Sequence, residues 1–159
     1  MTPRVDIEEA VIAQLKDIAE IEKQCIADGW SEKAFLETFE NKYSIILSAV
    51  SAGRVIGFLN GTAVLDEAEL LNIAVMEEYR GMGAGGALIG EFLHILSDKN
   101  VGTVYLEVRE SNAEAISLYK KYGFEQNGMR RNYYRHPVEN AVLTVSYTHL
   151  RAHETLRHL

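Results

Sequence analysis

The chain has 159 residues, 47% of them hydrophobic and 25% charged, which fits one globular domain with material for a real core. Cys25 is the sole cysteine, which excludes an intrachain disulfide framework, and no apolar run approaches the roughly 20 residues needed to span a bilayer. The net charge of -7 argues against direct nucleic-acid binding and suits a basic partner. The opening MTPRVDIEEA has no apolar secretory core. The expectation is a cytoplasmic protein with no membrane association.

Arg4 to Glu8 reads as a short first strand. Leu15, Ile18, Ile21 or Glu22, and Cys25 follow helical spacing, which puts Cys25 on the apolar stripe as core. Ser31 is a candidate N-cap for a helix toward Asn41, and Trp30 with Phe35 matches a hydrophobic staple. Runs rich in β-formers follow at Tyr43 to Val50, Val55 to Leu65 and Leu70 to Val75, separated by turn residues, as in an antiparallel meander. A glycine-dense segment then opens a helix with Ala84, Leu88, Phe92, Ile95 and Leu96 on one stripe. Thr103 to Val108 alternates as a strand. Ser111 with Glu114 matches a capping box for a helix ending at Tyr122, with Gly123 as its left-handed stop. Phe124 to Tyr134 and Asn140 to about Thr144 complete the strands. The order predicts an α/β (α+β) fold with a mixed sheet.

Arg80-Gly81-Met82-Gly83-Ala84-Gly85-Gly86 lies between a strand and a helix. Glycines there let backbone N–H groups approach an anion, and the helix N-terminus adds the positive end of its dipole, so a pyrophosphate is a natural guest. A Walker loop would need Gly-Lys-Ser/Thr, which is missing. Gly81, Gly83 and Gly86 satisfy G-x-G-x-x-G. A dinucleotide site, however, should follow its strand at once and have an acidic ribose ligand about 20 residues on, and Asn100 to Val104 has none. R-x-x-G-x-G, met by Arg80, Gly83 and Gly85, fits the context better.

With GWSEKAF at 29–35, LDEAELLNIAV at 65–75, LEVRESNAEAISLYKKYGF at 106–124 and RRNYY at 130–134, the chain resembles the GNAT superfamily of acetyl-CoA-dependent N-acetyltransferases. Within it, the likeness is to the bacterial branch acting on a ribosomal protein's N-terminal alanine. The resemblance implies a mixed, largely antiparallel twisted sheet flanked by helices. It implies acetyl-CoA as co-substrate without a metal, and a basic peptide or ribosomal-protein N-terminus as partner. It places main-chain bonds to the pantetheine arm on Ile73, Ala74 and Val75, and the pyrophosphate on Arg80, Gly81, Met82, Gly83, Ala84, Gly85 and Gly86. Asn112 would contact the cofactor.

Acetyl transfer to an amine needs a neutral nucleophile and a protonated leaving thiol. A peptide α-amine titrates near 7.7–8.0, so a base must take its proton. The resemblance puts that base at Glu107, on the strand face opposite Val104, Leu106 and Val108. It puts the acid at Tyr119, which also shares a helical stripe with Ala115 and Tyr122 that packing alone would explain. Trp30, Tyr133 and Tyr134 would line the acceptor cleft, though Trp30 could serve only as a staple. Rival acceptors are other protein N-termini, lysines or small amines. Rival classes are a nucleotide-binding module or a catalytically silent acyl-CoA sensor.

From Val145 on, VSYTHLRAHETLRHL loses helix and strand periodicity, and its stretch VSYTHLRAHET resembles the in-frame translation of a sequencing-library adapter. Residues 1–144 are therefore expected to form the acetyltransferase domain and 145–159 a non-native tail. Val145 and Tyr147 could still extend the last strand, which should fray near Tyr147. That tail has Arg151 and Arg157 against Glu154, net +1, so residues 1–144 sum to -8.

Overall fold

The computed structural model describes residues 4–147. The elements run β1 (Asp6–Glu9), α1 (Leu15–Cys25), α2 (Glu32–Phe39), β2 (Ser44–Ser51), β3 (Arg54–Val64), β4 (Glu67–Val75), α3 (Ala84–Asp98), β5 (Thr103–Arg109), α4 (Ala113–Lys121), β6 (Glu125–Tyr134) and β7 (Glu139–Tyr147). One seven-stranded sheet has the order β1-β2-β3-β4-β5-β7-β6. β4 and β5 pair parallel, while β1 with β2, β2 with β3, β5 with β7 and β6 with β7 pair antiparallel. The expected mixed, largely antiparallel sheet is present. No described helix is long and apolar enough to cross a membrane.

The described residues divide into two compact units, one of residues 4–62 and 71–93 and the other of 63–70 and 94–147. In the first unit, β2 and β3 are buried almost continuously, which is why their sequences run apolar instead of alternating. Phe35 and Phe58, both fully buried, meet edge to face at 5.4 Å, and Trp30 leans on Phe35 at 5.4 Å as the staple requires. Ser31 Oγ accepts from the Ala34 N–H at 3.1 Å, a cap that contributes about 1 kcal/mol.

In the second unit, β5 alternates, with Val104, Leu106 and Val108 buried and Tyr105 exposed. β6 is exposed along almost its whole length. Gly123 has a φ of +90° and ends α4 in the expected left-handed turn.

Three expectations are corrected. Cys25 is half-buried, not core, because the stripe of α1 turns inward at Glu22, whose side chain is fully buried. Ile89, not Ile95, joins Ala84, Leu88, Phe92 and Leu96 in the fully covered stripe of α3. The cap of α4 is Asn112, whose Oδ1 accepts from the Ala115 N–H, while the Ser111 N–H donates to Glu139 Oε2 at 2.6 Å. β7 reaches Tyr147, as the expected extension of the last strand through Val145 and Tyr147 requires, and Thr144, Val145 and Ser146 are all buried. The rest of the proposed tail, 148–159, lies outside the described residues.

Candidate active site

In the first unit, β4 delivers Ile73, Ala74 and Val75 to its end, and a short 3-10 turn at Glu77–Tyr79 carries the chain to Arg80. The Arg80 guanidinium folds back onto the strand: Nε donates to the Val75 carbonyl at 3.1 Å and Nη2 to Cys25 Sγ at 3.6 Å. Cys25 Sγ itself donates to the same carbonyl at 3.7 Å. Arg80 and Cys25 thus brace the strand end, a role for Cys25 that helical periodicity alone does not reveal.

Gly81 and Gly83 have φ of +80° and +83°, a region costly to any residue with a Cβ. Beyond the adjoining residues of the chain, no described atom lies within 4 Å of where a Cβ would stand at either position. These glycines are therefore required by backbone conformation and leave open space beside the loop. The Gly83 carbonyl accepts from the Ala87 N–H at 2.9 Å, so Gly83 closes the first turn of α3. Gly85 and Gly86 lie within that first turn. A turn of this shape, opening a long helix, fits a pyrophosphate.

In the second unit, Glu107 occupies the face of β5 opposite the apolar one and is partly covered. Its Oε1 lies 3.4 Å from Arg130 Nε, and the Tyr133 hydroxyl donates to its carboxylate. That bond, then the Glu107 charge itself, holds the Tyr133 phenol above its ordinary range. The paired tyrosines owe their placement to an irregularity. The β6–β7 register slips between Arg130 and Tyr134, and Asn132 there has a φ of +53°, its N–H donating to Asn140 Oδ1 at 3.0 Å. Tyr133 and Tyr134 then meet edge to face at 5.1 Å. Burial first, then the Glu107 charge, pushes the Tyr134 phenol up to about 12.

Tyr119 is 5% exposed and packs against Phe124 at 5.8 Å. Burial, then the charge of Tyr134, raises its pKa well beyond the usual phenol range, so it keeps its proton at physiological pH. Asn112 is exposed, and its side-chain oxygen is already taken up by the cap of α4.

Arg109 escapes motif reading. Its guanidinium sits 4.5 Å over the Tyr134 ring, pairs with Glu139 at 3.2 Å and donates to the carbonyls of Arg135 and Pro137. One side chain thus ties the unusual Arg135-His136-Pro137 segment to the second tyrosine. The only sequence signal is its place at the end of a strand whose odd positions carry the polar face.

The parallel β4–β5 pair within a largely antiparallel sheet, and the positive-φ glycine turn that opens a long helix, match the fold of a solved N-acetyltransferase. The chain belongs to the acetyltransferase (GNAT) family, which matches residues 15–124, and it is an acetyl-CoA-dependent acetyltransferase. It is similar to the [ribosomal protein bS18]-alanine N-acetyltransferase of Haemophilus influenzae, 40% identical over 131 residues that cover 80% of this chain and 88% of that one. The enzyme of the same name from Escherichia coli is 41% identical over 72% of this chain and 76% of its own. The crystal structure of the ribosomal-protein-S18-alanine N-acetyltransferase from Escherichia coli superimposes with a TM-score of 0.86 at 34% identity, covering 91% of this chain and 94% of that one. The structure of Ard1 from Thermoplasma volcanium gives 0.83 at 32% identity over 90% and 97% of the two chains.

Proposed function

We propose that this enzyme acetylates the N-terminal alanine of the small-subunit ribosomal protein bS18. The observation that carries this reading is the likeness to enzymes named for that reaction, over four fifths of the chain in one case. Bound acetyl-CoA supplies an acetyl thioester. Main-chain groups of Ile73, Ala74 and Val75 would hold its pantetheine arm, and the turn from Gly81 to Gly86 its pyrophosphate, with Arg80 bracing the strand end. Asn112 would add a side-chain contact.

Glu107 is the base. Its carboxylate, aimed by Tyr133 and Arg130, takes a proton from the acceptor's α-amine, directly or through water, as the nitrogen attacks the carbonyl carbon. Tyr119 is the acid. Its phenol holds a proton at physiological pH and gives it to the sulfur as negative charge develops there, although burial makes it a weaker acid. Trp30, Tyr133 and Tyr134 receive the acceptor peptide. The acidic body, -8 over residues 1–144, steers a basic ribosomal terminus, and this steering weakens as salt rises.

Acetylation of a peptide panel, followed by mass spectrometry, tests the proposal. A peptide with the N-terminus of bS18 should be modified on its α-amine, with a KM that rises with salt. Equal activity on free lysine or a polyamine would overturn the peptide-dedicated reading. We further propose that residues 145–159 are not native sequence. Cleavage after Arg151 that leaves acetylation intact would support this, and resistance of the segment would refute it.

A further inference from the structure

Three of the polar side chains buried in the first unit are hydrogen-bonded to one another and are not used by the mechanism. Glu22 of α1 and Asn60 of β3 are both 0% exposed, and Asn72 of β4 is 7% exposed. Asn60 Nδ2 donates to Asn72 Oδ1 at 2.8 Å, and Asn72 Nδ2 donates to Glu22 Oε2 at 2.6 Å. The Trp30 N–H reaches the same Oε2 at 3.1 Å. Two oxygens of this chain are left over: Glu22 Oε1 and Asn60 Oδ1 are buried without any hydrogen-bond partner. Bare acceptors of this kind are costly, and a bare buried carboxylate more so.

Counting hydrogens resolves both at once. Closing the three side chains into a ring takes three hydrogen bonds, and each asparagine contributes one hydrogen to it whichever way its amide is turned. The third hydrogen has to come from Glu22. We propose that Glu22 is a neutral acid donating from Oε1 to Asn60 Oδ1, and that the closed Glu22–Asn60–Asn72 ring is the fixed point that positions Trp30 for the acceptor. Burial favours the same protonation, outweighing the bonds from Trp30 and Asn72 that favour the anion. The loop is held at two adjacent points: the Trp30 N–H sits on Oε2, and the Gly29 backbone lies directly over the Glu22 side chain. Glu22 is thus a positioning residue. The role of the ring in acceptor binding rests on the reading of Trp30 as a cleft residue; the protonation does not.

Infrared difference spectra of the full chain, wild type minus Glu22→Gln at neutral pH, decide the proton. A carbonyl band of a protonated carboxyl is expected. Carboxylate bands alone would overturn the ring, including the case in which a water bridges the two oxygens. Trp30 is the only tryptophan, so its fluorescence reports the loop. Glu22→Gln offers an N–H in place of the O–H and should leave Trp30 emission and its quenching as in wild type. Glu22→Ala should make Trp30 more quenchable and raise the acceptor KM roughly tenfold, with kcat and the acetyl-CoA KM little changed, the pattern of lost ground-state binding. Should Glu22→Ala fail to fold, Asn60→Ala opens the ring away from the loop and should act in the same direction. Glu22→Gln as impaired as Glu22→Ala would overturn the neutral acid. A fluorescence change with an unchanged acceptor KM would overturn the acceptor role of Trp30 and leave the infrared band to decide the ring.

Discussion

Replacing Gly29 with alanine tests how rigidly Glu22 is held. The backbone of Gly29 is outside the left-handed region, so the substitution meets no conformational barrier of its own. The added Cβ would stand 2.6 Å from Glu22 Cγ, 3.1 Å from Cδ and 3.2 Å from Oε2. An exposed glutamate would swing away from such an overlap. Here Oε2 is tied at 2.6 Å to Asn72 and at 3.1 Å to Trp30, and the side chain is fully buried, so it cannot yield without breaking those bonds. Overpacking of this kind costs about 1–3 kcal/mol. At about 2–4 °C per kcal/mol for a chain of this size, the melting point should fall measurably. Denaturant titrations of Gly29→Ala, Glu22→Ala and the double variant complete a cycle. With Glu22 removed, the alanine should cost only a few tenths of a kcal/mol, giving a coupling near the full overlap cost. A cost below about 0.5 kcal/mol in the wild-type background, within the range of ordinary surface substitutions, would refute the rigid placement of Glu22. So would an equal cost in both backgrounds.

Gly83→Val should cost about 1–2 kcal/mol through backbone strain alone and leave the fold intact, while calorimetry shows acetyl-CoA binding lost; unchanged affinity would remove the pyrophosphate from this turn. Glu107→Gln and Tyr119→Phe should each lower kcat about 10²–10⁴-fold, the former most at low pH, and full turnover by Tyr119→Phe would reduce Tyr119 to packing. Because burial lifts the Tyr119 phenol, no alkaline limb below pH about 10 should belong to it, and a limb there that Tyr119→Phe abolishes would contradict this. For Glu22 the folded-state carboxyl is raised above its unfolded value near 4.3, so the wild type loses stability relative to Glu22→Gln as pH rises from there toward the folded value. Parallel stability profiles of the two proteins would contradict the raised carboxyl.

The elements were legible wherever one local rule sufficed. Alternation in Thr103 to Val108 gave both the strand and the face of Glu107, and Trp30-Ser31 with Phe35 gave the start of α2. The α4 cap shifted by one residue because Ser111 and Asn112 are both competent caps, and only the tertiary bond from the Ser111 N–H to Glu139 separates them. The buried ring was out of reach: Glu22, Asn60 and Asn72 stand on three elements, and a glutamate at a helical core position reads equally well as an exposed one. Arg130 and Arg109 were hidden for the same reason, since their partners Glu107 and Glu139 come from other strands. The glycine turn was the opposite case. Its positive-φ positions are a local demand, and glycine is the residue that meets it.

The last strand made is not the last strand placed. β7 inserts between β5 and β6, pairing with Thr103–Arg109 on one side and with Glu125–Tyr134 on the other. During synthesis, both neighbours emerge before the segment that joins them. Until residues 139–147 are available, the nascent chain displays two bare strand edges, one of them carrying Glu107 and the other the paired tyrosines. Open edges of this kind invite pairing with other chains. If Glu107 and the paired tyrosines act as proposed, a product halted before β7 should not acetylate at all, since it would have both tyrosines and the carboxylate but no strand to hold them side by side. It should surface in a cell as an aggregate or a chaperone client and not as a slower enzyme.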